Sequence, residues 1–98
     1  MSDNSDIKVY YSSASGNLKM DKQQQFIFNV LDGQKILYKR VDVDSREVRE
    51  SMRHLAGNEA ALPPQVFNGD QYCGDYQSFF DKVECSQLME FLKLKDQH

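Results

Sequence analysis

The two thiols are the most reactive side chains in this sequence, and their spacing limits what they can do. Cys73 and Cys85 lie twelve residues apart, so they form neither a Cys-x-x-Cys redox pair nor half of a zinc motif. The two histidines, His54 and His98, add no recognisable ligand pattern, and no Ser or Asp arrangement around His54 suggests a catalytic triad. Two cysteines are also too few for a disulfide-stapled secreted domain. We therefore expect no metal and no cofactor.

A stripe of arginines is the clearest charged pattern. Arg46, Arg49 and Arg53 recur at i, i+3 and i+7, the spacing of one helix face. Either this face is solvated and paired with Glu47 and Glu50, or it is a docking patch for an acidic partner. The sequence alone leaves both interpretations open.

Length and charge exclude several classes of protein. The chain has 98 residues, 15 acidic and 12 basic, and its net charge of −3 argues against a dedicated nucleic-acid binder. No window approaches the roughly 20 apolar residues of a membrane span. The first six residues are polar and acidic, unlike a secretory signal. We expect a cytoplasmic protein without membrane contact, small enough to enter the nucleus.

The first half of the chain alternates strand and helix patterns. Ile7–Tyr11 is rich in strand formers, and residues 18–32 show helical periodicity that Gly33 is expected to end. A second strand is predicted over 35–43. The flanking residues 1–6 and 95–98 are predicted to be flexible, which leaves one domain over 7–94.

The second half contains clear start and stop signals. A second helix is predicted to begin at the N-cap Asp44 and to end at Gly57. Two short strands around Asn-Gly at 68–69 predict a β-hairpin. Asp75 is expected to cap a third helix and Ser86 a fourth.

These elements predict an α/β fold in the order β-α-β-α-β-β-α-α. The initial β-α-β unit implies parallel strands, because such crossovers are right-handed, and the hairpin adds an antiparallel pair. The result is a four-stranded mixed sheet with helices on both faces. This is a thioredoxin-like architecture at the size of a glutaredoxin.

Two segments carry a family resemblance over roughly residues 7–94. The segment Leu-Pro-Pro-Gln-Val-Phe-Asn-Gly at 62–69 and the run Gln-Tyr-Cys-Gly-Asp-Tyr-Gln-Ser-Phe-Phe at 71–80 resemble the SH3-domain-binding glutamic-acid-rich-like proteins, relatives of the glutaredoxins. The resemblance implies partner binding by Leu62, Pro63, Pro64, Gln65, Val66 and Phe67.

The chain departs from this family pattern in ways that bear on partners. It ends without a glutamic-acid-rich tail, and Ala61 stands where the family often has proline, which removes the Pro-x-x-Pro spacing of an SH3 ligand. The resemblance also implies a cis bond before Pro64, whereas an SH3 ligand must lie extended. SH3 domains are therefore not favoured as partners.

The glutaredoxin comparison further implies what chemistry is missing. A glutaredoxin attacks with a thiolate at the start of its first helix. No cysteine lies between Tyr11 and Asp21, and a serine hydroxyl cannot form a disulfide. We predict a redox-inactive, non-enzymatic domain that binds proteins as an adaptor or modulator.

Two alternatives remain. The resemblance outlines a degenerate groove in which a cis proline and an acid-capped helix hold glutathione without turnover; its residues would be Ser13, Ser15, Pro63, Pro64, Gly74 and Asp75. Pro64 could equally serve the fold alone. The second alternative is a thiol oxidoreductase using Cys73, although a structural role fits that cysteine better. Cys85, between two helices, is expected to pack in the core.

Overall fold

The computed structural model describes residues 6–94. Within that range the predicted order of strands and helices is confirmed. The strands are β1 (Ile7–Tyr11), β2 (Tyr38–Asp42), β3 (Gln65–Asn68) and β4 (Gln71–Asp75). The helices are α1 (Leu18–Gly33), α2 (Arg46–Ala56), α3 (Tyr76–Glu84) and α4 (Leu88–Phe91).

The strands form the predicted mixed sheet, in the order β2-β1-β3-β4. Helix α1 connects the parallel pair β1 and β2, while β3 is antiparallel to both β1 and β4. The hairpin turns at Gly69, which has a φ of 62° that glycine adopts without strain. A β-bulge follows on β4, because Val66 pairs with Gly74 and Phe67 with Tyr72, leaving Cys73 without an opposite residue.

Helices cover both faces of the sheet, as predicted. On one face, Ile7, Val9 and Val66 pack against apolar side chains of α1, α3 and α4. On the other face, Tyr10 and Phe67 pack with Met52 of α2 and with neighbouring residues. Because successive side chains of a strand point to opposite faces, the strands contribute residues to two separate buried clusters, one on each face of the sheet.

Some predicted helix ends are correct and others are displaced. Gly57 ends α2 with a φ of 68°, as expected, and the side chain of Asp75 accepts a hydrogen bond from the Ser78 amide at the start of α3. Gly33 is the last residue of α1, but it does not supply the left-handed conformation that stops a helix. Lys35 takes that conformation instead.

Two N-cap predictions were wrong by one residue. Ser45, not Asp44, caps α2, and its hydroxyl accepts from the Val48 amide. Ser86 has a φ of 59°, and α4 begins after Gln87 without a side-chain cap. In both cases the N-cap position is occupied by the polar residue that follows the predicted one, Ser45 after Asp44 and Gln87 after Ser86.

The second strand is shorter than predicted, and the predicted flexible ends fall mainly outside the described residues. Strand β2 covers Tyr38–Asp42 rather than 35–43, because Lys35 and Ile36 still bond to carbonyls at the end of α1. Residues 1–5 and 95–98 are not described. The carbonyl of Asp6 accepts a hydrogen bond from the Gly69 amide at 2.9 Å, which ties this residue to the hairpin turn.

Candidate functional site

A groove of about 450 Å³ lies where the start of α1, the segment before β3 and the start of α3 meet. Carboxamide side chains and the Pro63–Pro64 segment form much of its wall. Its lining consists of Asn17, Lys19, Met20, Gln23, Asn58, Ala60, Ala61, Leu62, Pro63, Pro64, Gln65, Asp75, Tyr76 and Gln77. We refer to this cavity as the groove.

The proline segment forms the floor of the groove. The Pro63–Pro64 bond is cis, and both prolines are buried. Leu62, in contrast, is 59% exposed at the groove edge. Because an SH3 ligand lies exposed, the buried Pro63–Pro64 segment is not presented in the form that SH3 domains bind.

The side chain of Gln65 stabilises the turn that contains the two prolines. Its side chain is 95% buried by relative area, donates to the Leu62 carbonyl at 2.7 Å and accepts from the Tyr72 hydroxyl at 2.6 Å. Burial, with smaller contributions from the charges of Asp75 and Cys73, raises the pKa of Tyr72, so its hydroxyl remains a donor at neutral pH. Gln65 thus helps to hold the groove floor in place.

Arg53 holds the loop that leads into the groove. Its guanidinium donates to the Ala61 carbonyl at 3.0 Å from helix α2. Within the same loop, the Asn58 side chain accepts from the Ala60 amide at 2.9 Å. No sequence pattern indicates the Arg53 bond, because its acceptor is a backbone carbonyl rather than an oppositely charged side chain.

The other arginines of the stripe have different roles. Arg49 donates to the carbonyls of Val43 and Asp44, whereas Arg46 forms an exposed ion pair with Glu50 at 3.1 Å. Of the three arginines in the stripe, only Arg46 fits the interpretation of a solvated face paired with glutamate. Arg49 and Arg53 donate to backbone carbonyls. His54 is exposed on the same helix.

Ser13 and Ser15 do not line the groove. The Ser13 hydroxyl and amide both bond to the carboxylate of Asp42 at the end of β2. These hydrogen bonds, with the hydroxyl contributing most, lower the pKa of Asp42 below its ordinary value. Ser15 instead bonds to Asn17 and Asp21 at the start of α1.

Gln24 anchors the same β1–α1 loop from inside. It is 5% exposed, accepts from the Ser12 amide at 2.8 Å and donates to the Ser12 carbonyl at 3.2 Å. Sequence reasoning missed this residue, although a glutamine on the apolar face of a predicted helix is a usable signal for a buried amide. The loop that carries the nucleophile in a glutaredoxin is thus held here by serine and amide hydrogen bonds.

Asp75 and Gly74 are adjacent in sequence but occupy different environments. Asp75 is exposed in the groove and caps α3. Gly74 is buried, with a φ of 153°, and a Cβ added there would lie 2.8 Å from Cε1 of Phe91. Gly74 therefore permits close packing of α4 against β4 and is not part of the groove wall.

The predicted partner-binding segment, residues 62–67, lies partly in the groove and partly in the core. Leu62, Pro63, Pro64 and Gln65 line the groove. Val66 and Phe67, which were predicted with them, are 0% exposed and face opposite sides of the sheet in the two buried clusters. Their side chains serve the core and are not available to a partner in this fold.

Cys73 lies on the bulge of β4 and outside the lining of the groove. It is half-buried against the apolar cluster beneath α1, α3 and α4. Burial raises the pKa of the thiol to about 11, although the charge of Lys93 and a backbone hydrogen bond from Asn68 act in the opposite direction. The group is therefore a protonated thiol at neutral pH.

Cys85 corrects a prediction, because it is exposed rather than packed in the core. It is the C-cap residue of α3, whose amide bonds back to the Asp81 carbonyl. The opposite end of α3 lines the groove, and a nine-residue helix is about 13 Å long. Cys85 is thus separated from the groove by the length of that helix.

Within residues 6–94, no group of three or more His, Cys, Asp and Glu side chains is placed to hold a metal ion. The helices in that part of the chain are also too short or too polar to cross a membrane. The polar side chains that line the groove are carboxamides, the Asp75 carboxylate, the Lys19 ammonium group and the Tyr76 hydroxyl.

Solved structures of other proteins share this fold. A buckwheat glutaredoxin–glutathione complex aligns with a TM-score of 0.68 at 16% identity, covering 91% of this chain and 77% of that one. Glutaredoxin C1 from Populus tremula x tremuloides aligns with the same TM-score at 18% identity, covering 91% and 84%. The chain therefore has the fold of the glutaredoxins.

Within that fold class, the chain belongs to the SH3-binding, glutamic acid-rich protein family, whose sequence model matches residues 5–95. The actin interacting protein Aip5 of C. albicans has a similar fold, with a TM-score of 0.74, 24% identity and coverage of 90% of this chain and 88% of that one. The predicted family and fold class are thereby confirmed.

Proposed function

We propose that this protein binds an extended segment of partner proteins in the groove and does not catalyse thiol–disulfide exchange. The observation that carries the proposal is the absence of both cysteine thiols from the lining of the groove. Neither Cys73 nor Cys85 lines it, while Pro63, Pro64 and Asp75 do. The family description as SH3-binding and the actin-interacting relative both support a binding role.

The start of α1 also supports the absence of exchange chemistry. Asn17 caps the helix by accepting from the Met20 amide, and Ser15 bonds to Asp21 in the first turn. A glutaredoxin needs a thiolate at this end of the helix, stabilised by free amides and the helix dipole. Here the carboxamide of Asn17 caps the helix, and no cysteine lies between residues 11 and 21.

The groove suits a peptide backbone because it presents donors and acceptors together. Asn17, Gln23, Asn58, Gln65 and Gln77 all carry carboxamides at its wall. Leu62, exposed at the edge, adds an apolar contact. An extended segment could therefore satisfy its own amides while burying a side chain against Leu62.

Capture of partners by a groove variant tests the proposal. Leu62→Glu places a charge at the groove edge, and Met89→Glu makes the same change at a residue that is 44% exposed on α4. Proteins retained by wild type and by Met89→Glu, but lost by Leu62→Glu, support binding in the groove. Equal retention by both variants contradicts it.

Glutathione binding without turnover is the second candidate. Pro64 and Asp75, which the family resemblance assigns to the glutathione backbone and its γ-glutamyl end, lie in the same groove. A glutathione titration followed by amide chemical shifts separates the candidates: saturable shifts around Pro64, Gly74 and Asp75 favour glutathione, and their absence favours partner segments alone.

A disulfide-reduction assay tests the remaining alternative. An oxidoreductase that uses Cys73 would reduce a small mixed disulfide in the presence of glutathione and would lose that activity in Cys73→Ser. We expect no activity above background in either protein, because the half-buried thiol of Cys73 is protonated at neutral pH. Activity that depends on Cys73 would overturn the non-catalytic proposal.

A further inference from the structure

A second cavity adjoins the groove along α1. It has a volume of about 570 Å³ and is lined by Leu18, Lys19, Lys22, Gln23, Phe26 and Tyr76. We call this cavity the α1 shelf. Lys19, Gln23 and Tyr76 also line the groove, so the two cavities form one continuous surface.

The shelf has an apolar base formed by Leu18, Phe26 and Tyr76. Leu18 is 69% exposed and lies beside these two aromatic rings in the lining of the shelf. The rings of Phe26 and Tyr76 meet edge to face with centroids 5.8 Å apart, and Phe26 also contacts Phe79 of the core. The base is therefore rigid and apolar, which suits a large apolar side chain.

Two lysines flank this base. Lys19 and Lys22 are both exposed, and neither forms an ion pair with any residue from 6 to 94. Asp21, which lies between them in sequence, is engaged by the Ser15 hydroxyl. Two positive charges without an ion-pair partner in the described residues, beside an apolar base, are complementary to carboxylates beside an apolar side chain.

Gln23 lies at the junction of the two cavities. Its carboxamide makes no hydrogen bond within the described chain, whereas Gln65 and Gln77 are already bonded. A free carboxamide can both donate to and accept from a peptide group. This residue is therefore placed to fix the backbone of a segment that runs from the groove onto the shelf.

We propose that the α1 shelf binds an acidic, apolar peptide segment: a large apolar side chain seats on Leu18, Phe26 and Tyr76, and flanking carboxylates pair with Lys19 and Lys22. This inference rests on the proposed function and specifies the chemistry of the partner. The protein's net charge of −3 disfavours acidic partners in general. Recognition must therefore come from this local pair of lysines.

A set of end-blocked peptides tests the inference. The first is Ac-Ser-Asp-Glu-Phe-Glu-Ser-Gly-NH₂; the second replaces its acids by Asn and Gln, and the third replaces Phe by Ser. Amide chemical shifts of the ¹⁵N-labelled full chain report where each peptide binds. We expect saturable shifts over α1 from Leu18 to Phe26 and at Tyr76 with the first peptide, and much weaker binding of the other two.

Charge-reversal variants supply the matched controls. Lys19→Glu/Lys22→Glu should weaken the first peptide about tenfold, because each exposed ion pair contributes roughly a 1.5- to 5-fold change in affinity. Lys35→Glu/Lys39→Glu makes the same charge change at exposed lysines outside the shelf and should alter affinity by less than about twofold. Thermal melts of both variants verify that each is folded.

Each outcome decides the inference. Equal binding of the acidic and amide peptides in the groove would overturn it while leaving the proposed function intact. Equal weakening by the two double variants, shifts outside α1 and Tyr76, or no saturable shift at millimolar peptide would also overturn it. Failure of the proposed function is recognised separately, by equal partner capture with Leu62→Glu and Met89→Glu.

Discussion

The thiol of Cys73 faces an apolar cluster rather than a cavity, and this position determines its chemistry. Its backbone lies on the bulge of β4, so the side chain points toward the core beneath α3 and α4. Desolvation disfavours the thiolate and raises its pKa to about 11. A cysteine in such surroundings acts as a small apolar residue.

We predict that Cys73 reacts slowly with iodoacetamide at neutral pH. In Cys85→Ser, Cys73 is the only thiol, and its alkylation rate should rise about tenfold per pH unit from pH 7 to 10, since only the thiolate reacts. Mass spectrometry of quenched samples measures the rate. A plateau below pH 9 would contradict the raised pKa.

Gly74 is predicted to be intolerant of a side chain. A Cβ would lie 2.8 Å from Phe91 and 3.0 Å from the Cβ of Ser78, at a backbone φ of 153° that L-residues rarely adopt. Gly74→Ala should therefore lower the free energy of unfolding by about 2–4 kcal/mol, measured by urea denaturation. Gly33→Ala is the control: nothing lies within 4 Å, and it should be neutral or slightly stabilising.

At the scale of elements, the site depends on loops held by helices. Arg53 of α2 bonds to the Ala61 carbonyl, and Gln24 of α1 bonds to both backbone groups of Ser12. Ser13 bonds to Asp42, which connects the β1–α1 loop to the end of β2. The Arg53 contact thus fixes the loop that lines the groove, and the Gln24 and Ser13 contacts fix the loop that precedes α1.

Removal of the Arg53 bond should loosen the loop before the prolines. Arg53→Met retains most of the aliphatic length but leaves the Ala61 carbonyl without this donor, which should cost about 1–3 kcal/mol of stability. Amide hydrogen exchange in residues 57–62 should accelerate as well. Arg46→Met on the same helix removes only an exposed ion pair and should change stability by less than about 0.5 kcal/mol. Similar effects of the two variants would refute the assigned role of Arg53.

The Ser13–Asp42 contact predicts a pH dependence. The pKa of Asp42 is lowered in the folded state, mainly by the Ser13 hydroxyl, relative to its ordinary value of 3.8. Its contribution to stability is therefore present above pH 3.8 and is lost as pH falls through the lowered folded value. Ser13→Ala should be less stable than wild type at pH 6, and the difference should shrink below pH 3.

Carboxyl ¹³C titration checks this directly, because the pKa of Asp42 should rise in Ser13→Ala. An unchanged pKa, or a stability difference that persists undiminished at pH 2.5, would show that the serine acts through something other than this carboxylate.

At the scale of the whole molecule, periodicity and turn chemistry were sufficient to predict the fold. Alternation in Ile7–Tyr11 and the Asn-Gly turn identified the sheet, and the cap Asp75 identified the start of α3. The predicted helix ends were wrong where neighbouring residues compete for the N-cap position, as Ser45 does with Asp44. The N-cap propensities of the two residues differ little.

The candidate site was predicted only in part, for a physical reason. The proline segment and Asp75 are adjacent to motifs that sequence can display, and both line the groove. Arg53 and Gln24 form hydrogen bonds with backbone groups of other segments. Every residue has such backbone groups, so no particular residue type in the sequence indicates the partner. Cys85 was misjudged because the apolar residues beside it in sequence turn to the core while the C-cap itself faces solvent.

The two buried clusters predict that residues 6–94 form an independent folding unit. Both clusters, and the Gly69–Asp6 hydrogen bond that joins the hairpin turn to the residue before β1, lie within this range. A fragment of residues 6–94 should therefore unfold cooperatively in urea, within about 1 kcal/mol of the full chain. Ile7→Ala in the same fragment calibrates the measurement: Ile7 is 1% exposed, and its truncation should cost about 2–5 kcal/mol. A fragment that loses cooperative unfolding, or loses as much stability as the Ile7 variant, would place part of the folding energy in the terminal residues.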